Sequence, residues 1–213
     1  QDKGRLGVGM GELGISILFK NIINSPSAGD LGIADGEKVH KFEVKGEGAK
    51  LGEAPRNHEA SVLNLLSPYG FEIKGSKYVY DKKKRLKKDF AKILAEIYNK
   101  ADDKNIIKNG MDAILKDEVG LPIKSGDIDY GDPKSIQNGI ALANFIRYAK
   151  NTKFTHFIAH DYGAGANNSG EYIYVTGTPE AMAKQLKEKE AKFDPVYGRD
   201  FQPRIGFNKD KVN

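Results

Sequence analysis

The stretch "GDLGIADGEKVHKFEVKGEGAKLG", residues 29–52, predicts the centre of the fold. Two segments of strand character flank Asp35-Gly36, a dipeptide that favours the tight turn of a β-hairpin. The first segment is "DLGIA" and the second is "VHKFEVKG". We therefore expect an antiparallel hairpin whose second strand carries Glu43, Val44 and Lys45 close to its end.

Successive side chains of a strand point to opposite faces, and this alternation sorts the residues of the second strand. Glu43 and Lys45 project together from one face, whereas Phe42 and Val44 are expected to face the other way into a core. Glutamate and lysine on one face are also common on a half-exposed strand, so a hairpin with ordinary surface charges is the alternative to a functional site.

The rest of the chain predicts helices and further strands. Apolar residues recur at helical spacing in several segments, and two further strands are expected around residues 153–161 and 170–177. Thr178 and Pro179 are typical of the first residues of a helix. The expected helices cover "ELGISILFKNII", "HEASVLNLL", "KKKRLKKDFAKILAEIYNK", residues 106–116 and "SIQNGIALANFIRYAK".

This order of elements predicts an α/β (α+β) fold, with a mixed central sheet flanked by helices. A length of 213 residues fits a single domain, residues 1–213. Residues 66–132 are rich in predicted helix and could form an insertion or a subdomain. The short segment "RIGF" near the end of the sequence is a candidate last strand.

Composition limits the classes of function. The chain has no cysteine and only four histidines, so disulfides and thiolate metal sites are excluded and a metal site would rest on carboxylates. This favours Mg²⁺ or Mn²⁺ over Zn²⁺. A net charge of +5 and a pI near 9.1 suit a polyanionic partner. No apolar run reaches the roughly 20 residues of a membrane-spanning helix.

The first residues carry neither an apolar core bordered by basic residues nor a cleavage site, so no secretory signal is expected. The sequence begins with Gln1 rather than methionine, which suggests a trimmed product or a segment of a longer chain.

Two carboxylates are expected to meet at the end of the hairpin. Asp30 opens the first strand, and antiparallel pairing about the turn brings it close to Glu43. Carboxylates with a main-chain carbonyl, such as that of Val44, are suitable ligands for a hard divalent cation. Lys45 beside them would stabilise developing negative charge or lower the pKa of a water molecule.

These residues, with Glu12 on a preceding predicted helix, resemble the PD-(D/E)XK nuclease superfamily, which has a restriction-endonuclease-like core. The resemblance covers roughly residues 9–52, with Gly29-Asp30 in place of the Pro-Asp pair. It implies that Asp30 and Glu43 bind Mg²⁺ or Mn²⁺, that Glu12 completes the metal site, and that Lys45 assists the attacking water. All four would be catalytic, with Val44 contributing its carbonyl to the metal.

The pattern "GxGELGISILFK…GD…FEVKGEGAKLG" also resembles nuclease-like proteins of tailed bacteriophages. That resemblance implies a viral protein in the cytoplasm of the host cell or associated with the virion. The sequence leaves open whether the chain acts alone, as a homodimer or as a component of a phage particle.

A second Glu-apolar-Lys sequence, "FEIKG", occurs at residues 71–75. No aspartate comparable to Asp30 precedes it, and neither does a hairpin partner. We therefore expect Glu72 and Lys74 to lie on the solvated face of a strand.

Basic residues give candidate contacts to DNA, because lysine and arginine supply most of the nonspecific affinity for phosphates. Residues 82–88 hold six basic residues in seven, and the loop after Lys45 holds further basic residues and glycines whose amides could bind phosphate. A solvated helix face and a plain connecting loop are the respective alternatives. The candidate contacts are Lys50, Arg56, Lys82, Lys83, Lys84 and Arg85.

The sequence thus predicts a metal-dependent endonuclease that hydrolyses DNA phosphodiester bonds by attack of an activated water. The first alternative is a catalytically inactive protein with the nuclease fold that serves a structural or DNA-associating role in a phage virion. The second is a nucleic-acid-binding module that works through residues 82–88 with no metal. Acyl transfer and nucleotide hydrolysis have no supporting motif.

Overall fold

The computed structural model describes the protein over most of its length, with the backbone alone for residues 22–23, 59, 71–74, 77–80 and 84–88 and with side chains elsewhere in the described ranges. The described residues are 22–23, 31–35, 37–51, 58–74, 77–80, 84–161, 172–193 and 203–206.

A five-stranded mixed sheet forms the centre of the structure. Its strands are β1 (Ile22–Ile23), β2 (Leu31–Asp35), β3 (Lys38–Gly46), β7 (His156–His160) and β8 (Tyr172–Thr176), and they lie side by side in this order. Only the pair β3 and β7 is parallel, and the other neighbours are antiparallel. A parallel pair needs a long crossover, and here helices lie between β3 and β7 in sequence.

The predicted hairpin is confirmed. Strands β2 and β3 pair antiparallel, from Asp35 opposite Lys38 beside the turn to Leu31 opposite Phe42 at the other end. Strand β1, however, corrects a prediction. The periodicity of "ELGISILFKNII" predicted a helix that included Ile22 and Ile23, whereas these two residues pair with β2 as a strand. Pairing with a sheet edge outweighed the local helical pattern there.

Five α-helices are described, and four begin close to where the sequence predicted them. Asp132 caps the longest one, accepting hydrogen bonds from the amides of Lys134 at 2.9 Å and Ser135 at 3.1 Å. Thr178 caps the last one, as predicted. The helices are α1 (Glu59–Leu66), α2 (Leu86–Lys100), α3 (Lys104–Ala113) with a π-helical turn (Ile114–Glu118), α4 (Pro133–Thr152) and α5 (Pro179–Glu188).

The basic segment 82–88 does not simply begin a helix. Lys84 and Arg85 form the short strand β6 (Lys84–Arg85), and α2 starts only at Leu86. Strand β6 completes a three-stranded antiparallel sheet, with the order β4-β5-β6. Its other strands are β4 (Phe71–Lys74) and β5 (Lys77–Tyr80). A two-stranded pair joins β9 (Lys192–Phe193) to β10 (Ile205–Gly206), which confirms the strand predicted at "RIGF".

The main hydrophobic core lies between helices and one face of the central sheet. Phe157 of β7 meets Phe145 of α4 edge to face, with ring centroids 5.0 Å apart. The same cluster includes Leu94 of α2 and Leu186 of α5. The fold therefore belongs to the mixed α/β (α+β) class, as the sequence predicted.

Candidate active site

Glu43 and Lys45 occupy the middle of the central sheet. Strand β3 has neighbours on both sides, and Glu43 pairs with Phe157 of β7 while Lys45 pairs with Ala159. Glu43 is only 2% exposed. It therefore belongs to the face that packs against α4 and carries the main core, because its ladder partner Phe157 is part of that core.

This arrangement corrects the expectation that Phe42 and Val44 would face the core. Val44 is indeed buried, but Phe42 is only half-buried and stacks on His156, with ring centroids 4.4 Å apart. The hydrophobic cluster lies on the side of Glu43 instead. Glu43 therefore occupies a core-facing position of β3, where an apolar residue is usual.

Tyr148 and Lys45 both contact the Glu43 carboxylate. The Tyr148 hydroxyl donates a hydrogen bond to Glu43 Oε1, and the Lys45 ammonium forms an ion pair with the same oxygen. Lys45 Nζ also lies 5.8 Å from the centroid of the Tyr148 ring, within the range of a cation–π interaction. A buried charge is costly unless it is paired and hydrogen-bonded, and these contacts supply both.

Tyr148 is a site residue that the sequence reasoning missed. It reaches Glu43 from helix α4, 105 residues away in the chain. Asn144 lies one turn earlier on the same helix and is fully buried. The available signal was a pair of polar residues four apart within an otherwise apolar helical face, since residues at that spacing are neighbours on a helix.

The end of β7 adds a further buried carboxylate to this part of the sheet. Asp161 follows His160 directly and is 1% exposed. Gly46, the last residue of β3, pairs with His160. Burial lowers the pKa of His160, and the charge of Asp161 acts in the opposite direction. The sequence predicted only a strand around residues 153–161, which ends at these two residues.

The structure covers the predicted metal ligands only in part. Glu43 and Val44 are described, whereas Asp30 and Glu12 lie outside the described residues. The register places Leu31, the sequence neighbour of Asp30, opposite Phe42, the sequence neighbour of Glu43. Within the described ranges no group of three or more histidine, aspartate or glutamate side chains has the geometry to hold a metal ion.

The structure corrects the interpretation that the amide of Gly48, in the loop after β3, binds phosphate. The Gly48 amide donates to Ile205 O at 2.8 Å, and the Leu51 amide donates to Pro203 O at 2.9 Å. These amides hold the segment next to β10 and do not point at a ligand. Lys50 is exposed and bridges to Arg204 through the main chain.

The remaining basic candidates are described less fully. Lys84 and Arg85 lie on β6, for which the backbone is described. Arg56, Lys82 and Lys83 lie outside the described residues, as do the glycine-rich first residues. No helix in the described part of the chain is long and apolar enough to cross a membrane.

Comparison with known proteins gives no match: no protein-family model, no curated protein and no solved structure corresponds to this chain. A functional assignment must therefore come from the residues themselves.

Proposed function

We propose that this protein is a metal-dependent endonuclease that hydrolyses DNA phosphodiester bonds. The observation that carries the proposal is the buried carboxylate of Glu43, paired with Lys45 on the central strand of the sheet. Ionisable groups are seldom buried without a role, and functional sites are where such arrangements concentrate. The Glu-Val-Lys sequence of β3 is also the core of the nuclease resemblance.

The donor set around Glu43 suits Mg²⁺ or Mn²⁺. Both ions prefer oxygen ligands, and the proposed ligands are the carboxylates of Asp30, Glu43 and Glu12 with the carbonyl of Val44. A carboxylate has two oxygens with about four acceptor sites, so one carboxylate can accept from a hydroxyl, pair with an ammonium and also bind a metal. A bound ion of this kind polarises the phosphate and lowers the pKa of a coordinated water.

The described side chains have distinct parts in this proposal. Lys45 places a positive charge where negative charge develops as water attacks the phosphorus. Tyr148 is a positioning residue, because its hydrogen bond fixes the orientation of the Glu43 carboxylate. Glu43 is buried beside the apolar core, and the low dielectric there strengthens its ion pair with Lys45.

The fold and charge of the protein support the proposal at a coarser level. A mixed central sheet flanked by helices is what the resemblance to PD-(D/E)XK nucleases implied. The net charge of +5 suits a DNA partner. We assign phosphate contacts to Lys50, Arg56, Lys82, Lys83, Lys84 and Arg85.

One observation favours a second function. Tyr148 and Lys45 contact Glu43 Oε1, and these contacts compensate the buried charge without requiring a metal. This would suit a catalytically inactive protein with the nuclease fold that associates with DNA as part of a phage virion. Such a protein would act in the particle, alone or as a homodimer, whereas a nuclease would act in the cytoplasm of the host cell.

Cleavage of DNA separates the two functions. Supercoiled and linear DNA are incubated with Mg²⁺ or Mn²⁺ and the wild-type protein, or with the variants Asp30→Asn and Lys45→Met. We expect metal-dependent cutting by the wild type and none by either variant. Lys74→Met is the matched control, because Lys74 holds the same place in the second Glu-apolar-Lys sequence. Circular dichroism confirms that each variant is folded.

An inert wild type with both metals and both DNA forms would contradict the nuclease proposal. DNA binding without cleavage would then support the virion role. Cutting that survives in Lys45→Met would show that the activity does not depend on this strand.

A further inference from the structure

Two histidines meet on the opposite face of the central sheet from Glu43. His40 lies on β3 and His156 on the parallel strand β7, where it pairs with Phe42. His40 Nδ1 and His156 Nε2 are 3.0 Å apart. Both side chains are partly accessible, and 39% of the His40 side chain is exposed. None of the functions proposed above uses this pair.

Two nitrogen lone pairs at this distance would repel each other, so a proton or a metal cation must lie between the two nitrogens. Each neutral imidazole has one N–H and one lone pair, so the contact is either a hydrogen bond or a shared cation. Two imidazole nitrogens, each about 2.0–2.1 Å from one metal ion, lie about 2.9 Å apart at a right angle and about 3.4 Å apart at the tetrahedral angle. The observed spacing is that of a hydrogen-bonded pair, and it is within about 0.4 Å of the spacing of two ligands of one metal ion.

The other nitrogen of His156 has hydroxyl partners that favour ligation through Nε2. His156 Nδ1 lies 2.8 Å from the Tyr174 hydroxyl and 2.9 Å from Thr176 Oγ1. The Thr176 hydroxyl donates to Thr155 O at 3.1 Å, so its oxygen accepts from the N–H of His156 Nδ1. The lone pair of His156 then resides on Nε2, which faces His40.

The other nitrogen of His40 faces a carboxylate. His40 Nε2 lies 3.9 Å from Asp35 Oδ2, across the turn of the hairpin. A carboxylate or hydroxyl behind a ligating histidine fixes the ring and raises its basicity, and most metal-binding histidines have such a partner. His156 therefore has the hydrogen-bonded outer partner that is usual for a metal ligand, and the Asp35 carboxylate adds a negative charge near His40 that favours a bound cation.

We propose that His40 Nδ1 and His156 Nε2 bind one divalent transition-metal ion of the class that prefers imidazole, such as Zn²⁺, Ni²⁺ or Cu²⁺. Water would complete the coordination, because the described residues contain no group of three or more candidate ligands. The ion would join β3 to β7 on the face opposite Glu43. The inference does not depend on the proposed nuclease function, since Mg²⁺ and Mn²⁺ prefer oxygen ligands.

Calorimetric titration of the untagged full-length chain with ZnCl₂, in the presence of excess Mg²⁺, tests the proposal. We expect one Zn²⁺ per chain and a shift of the ring signals of His40 and His156 in NMR spectra. His40→Gln should weaken binding by roughly tenfold or more, because it keeps an N–H donor toward His156 but removes the imidazole. Asp35→Asn should weaken it by a smaller factor, because it removes the negative charge near His40.

His58→Gln is the matched control, because His58 lies elsewhere, with its Nδ1 3.6 Å from Glu118 Oε2. It should bind Zn²⁺ as the wild type does. The proposal is overturned if the wild type shows no binding, if His40→Gln binds equally well, or if the signals of other residues shift instead. His40 lies beside the hairpin turn, so its variant is expected to fold even if a variant of His156 does not.

Discussion

The segments "FEVKG" and "FEIKG" differ by one methylene group, yet the structure gives them different surroundings. The first lies on β3, between β2 and β7 in the five-stranded sheet. The second lies on β4, at the edge of the three-stranded sheet, where it pairs with β5 alone. A short motif therefore gains chemical meaning from its place in the sheet and from what packs on it.

The difference lies in long-range contacts. Glu43 is buried under helix α4, where Tyr148 and Lys45 contact its carboxylate. A central strand is shielded on both edges, whereas an edge strand leaves one row of main-chain groups without a strand partner. The prediction that Glu72 and Lys74 form a solvated face concerns side chains outside those described, and it stays a prediction.

The largest expected effect concerns catalysis. Glu43→Gln keeps the shape of the side chain and its hydrogen bond from Tyr148 but removes the charge. We expect the rate of DNA cleavage to fall by about 100-fold or more, the usual consequence of losing one electrostatic catalytic group. Glu72→Gln should cleave at the wild-type rate. Equal losses in the two variants would remove the distinction between the strands.

Stability gives the next test. Lys45→Met keeps most of the aliphatic stem but leaves Glu43 without its cation. Since removing one partner of a buried ion pair is costly, we expect the free energy of unfolding to fall by about 2–4 kcal/mol. Urea denaturation measures the change. Lys74→Met should stay within about 0.5 kcal/mol of the wild type, as is usual for a surface position.

The contact from helix α4 gives a smaller effect. Tyr148→Phe removes only the hydroxyl that donates to Glu43. We expect a loss of about 1–2 kcal/mol of unfolding free energy, in the range for a hydrogen bond to a charged group. Cleavage should become less efficient and require more metal, because the carboxylate is no longer oriented. A variant with wild-type stability and wild-type metal dependence would show that this contact is incidental.

The smallest effect is a pH dependence confined to one sheet. Burial, and then His40, lower the pKa of His156 in the folded state. The unfolded chain therefore binds more protons below its own histidine pKa of about 6.5, so stability falls as the pH decreases through that value. Residues 71–85 contain no histidine.

Amide hydrogen exchange measures this local effect. After correction for intrinsic rates, protection in β3 and β7 should decrease between neutral and mildly acidic pH, while that in β4 and β5 should not. His156→Gln should reduce the change. A uniform loss across both sheets would assign the pH dependence to other groups.

Local sequence patterns predicted much of the fold. The turn at Asp35-Gly36 and the flanking segments predicted the β2–β3 hairpin, and Thr178 predicted the start of α5. Such features depend on residues close together in sequence. Local pattern failed at Ile22 and Ile23, where strand pairing replaced a predicted helix, and at Lys84 and Arg85, which form β6.

Local sequence patterns also predicted part of the candidate site. Alternation placed Glu43 and Lys45 on one face, and the structure confirms that they meet. It did not indicate that this face is the buried one, because burial is set by the crossover to β7 and by α4. Tyr148, at a separation of 105 residues, follows from that packing and from no local pattern.

We propose that the surroundings of β3 turn an ordinary strand motif into a divalent-ion site. Line broadening by Mn²⁺ in NMR spectra tests it directly. We predict that Mn²⁺ broadens the amide signals around Glu43, that excess Mg²⁺ restores them, and that Glu43→Gln abolishes the effect. Broadening around Glu72 instead, or at neither strand, would contradict a divalent-ion site at Glu43.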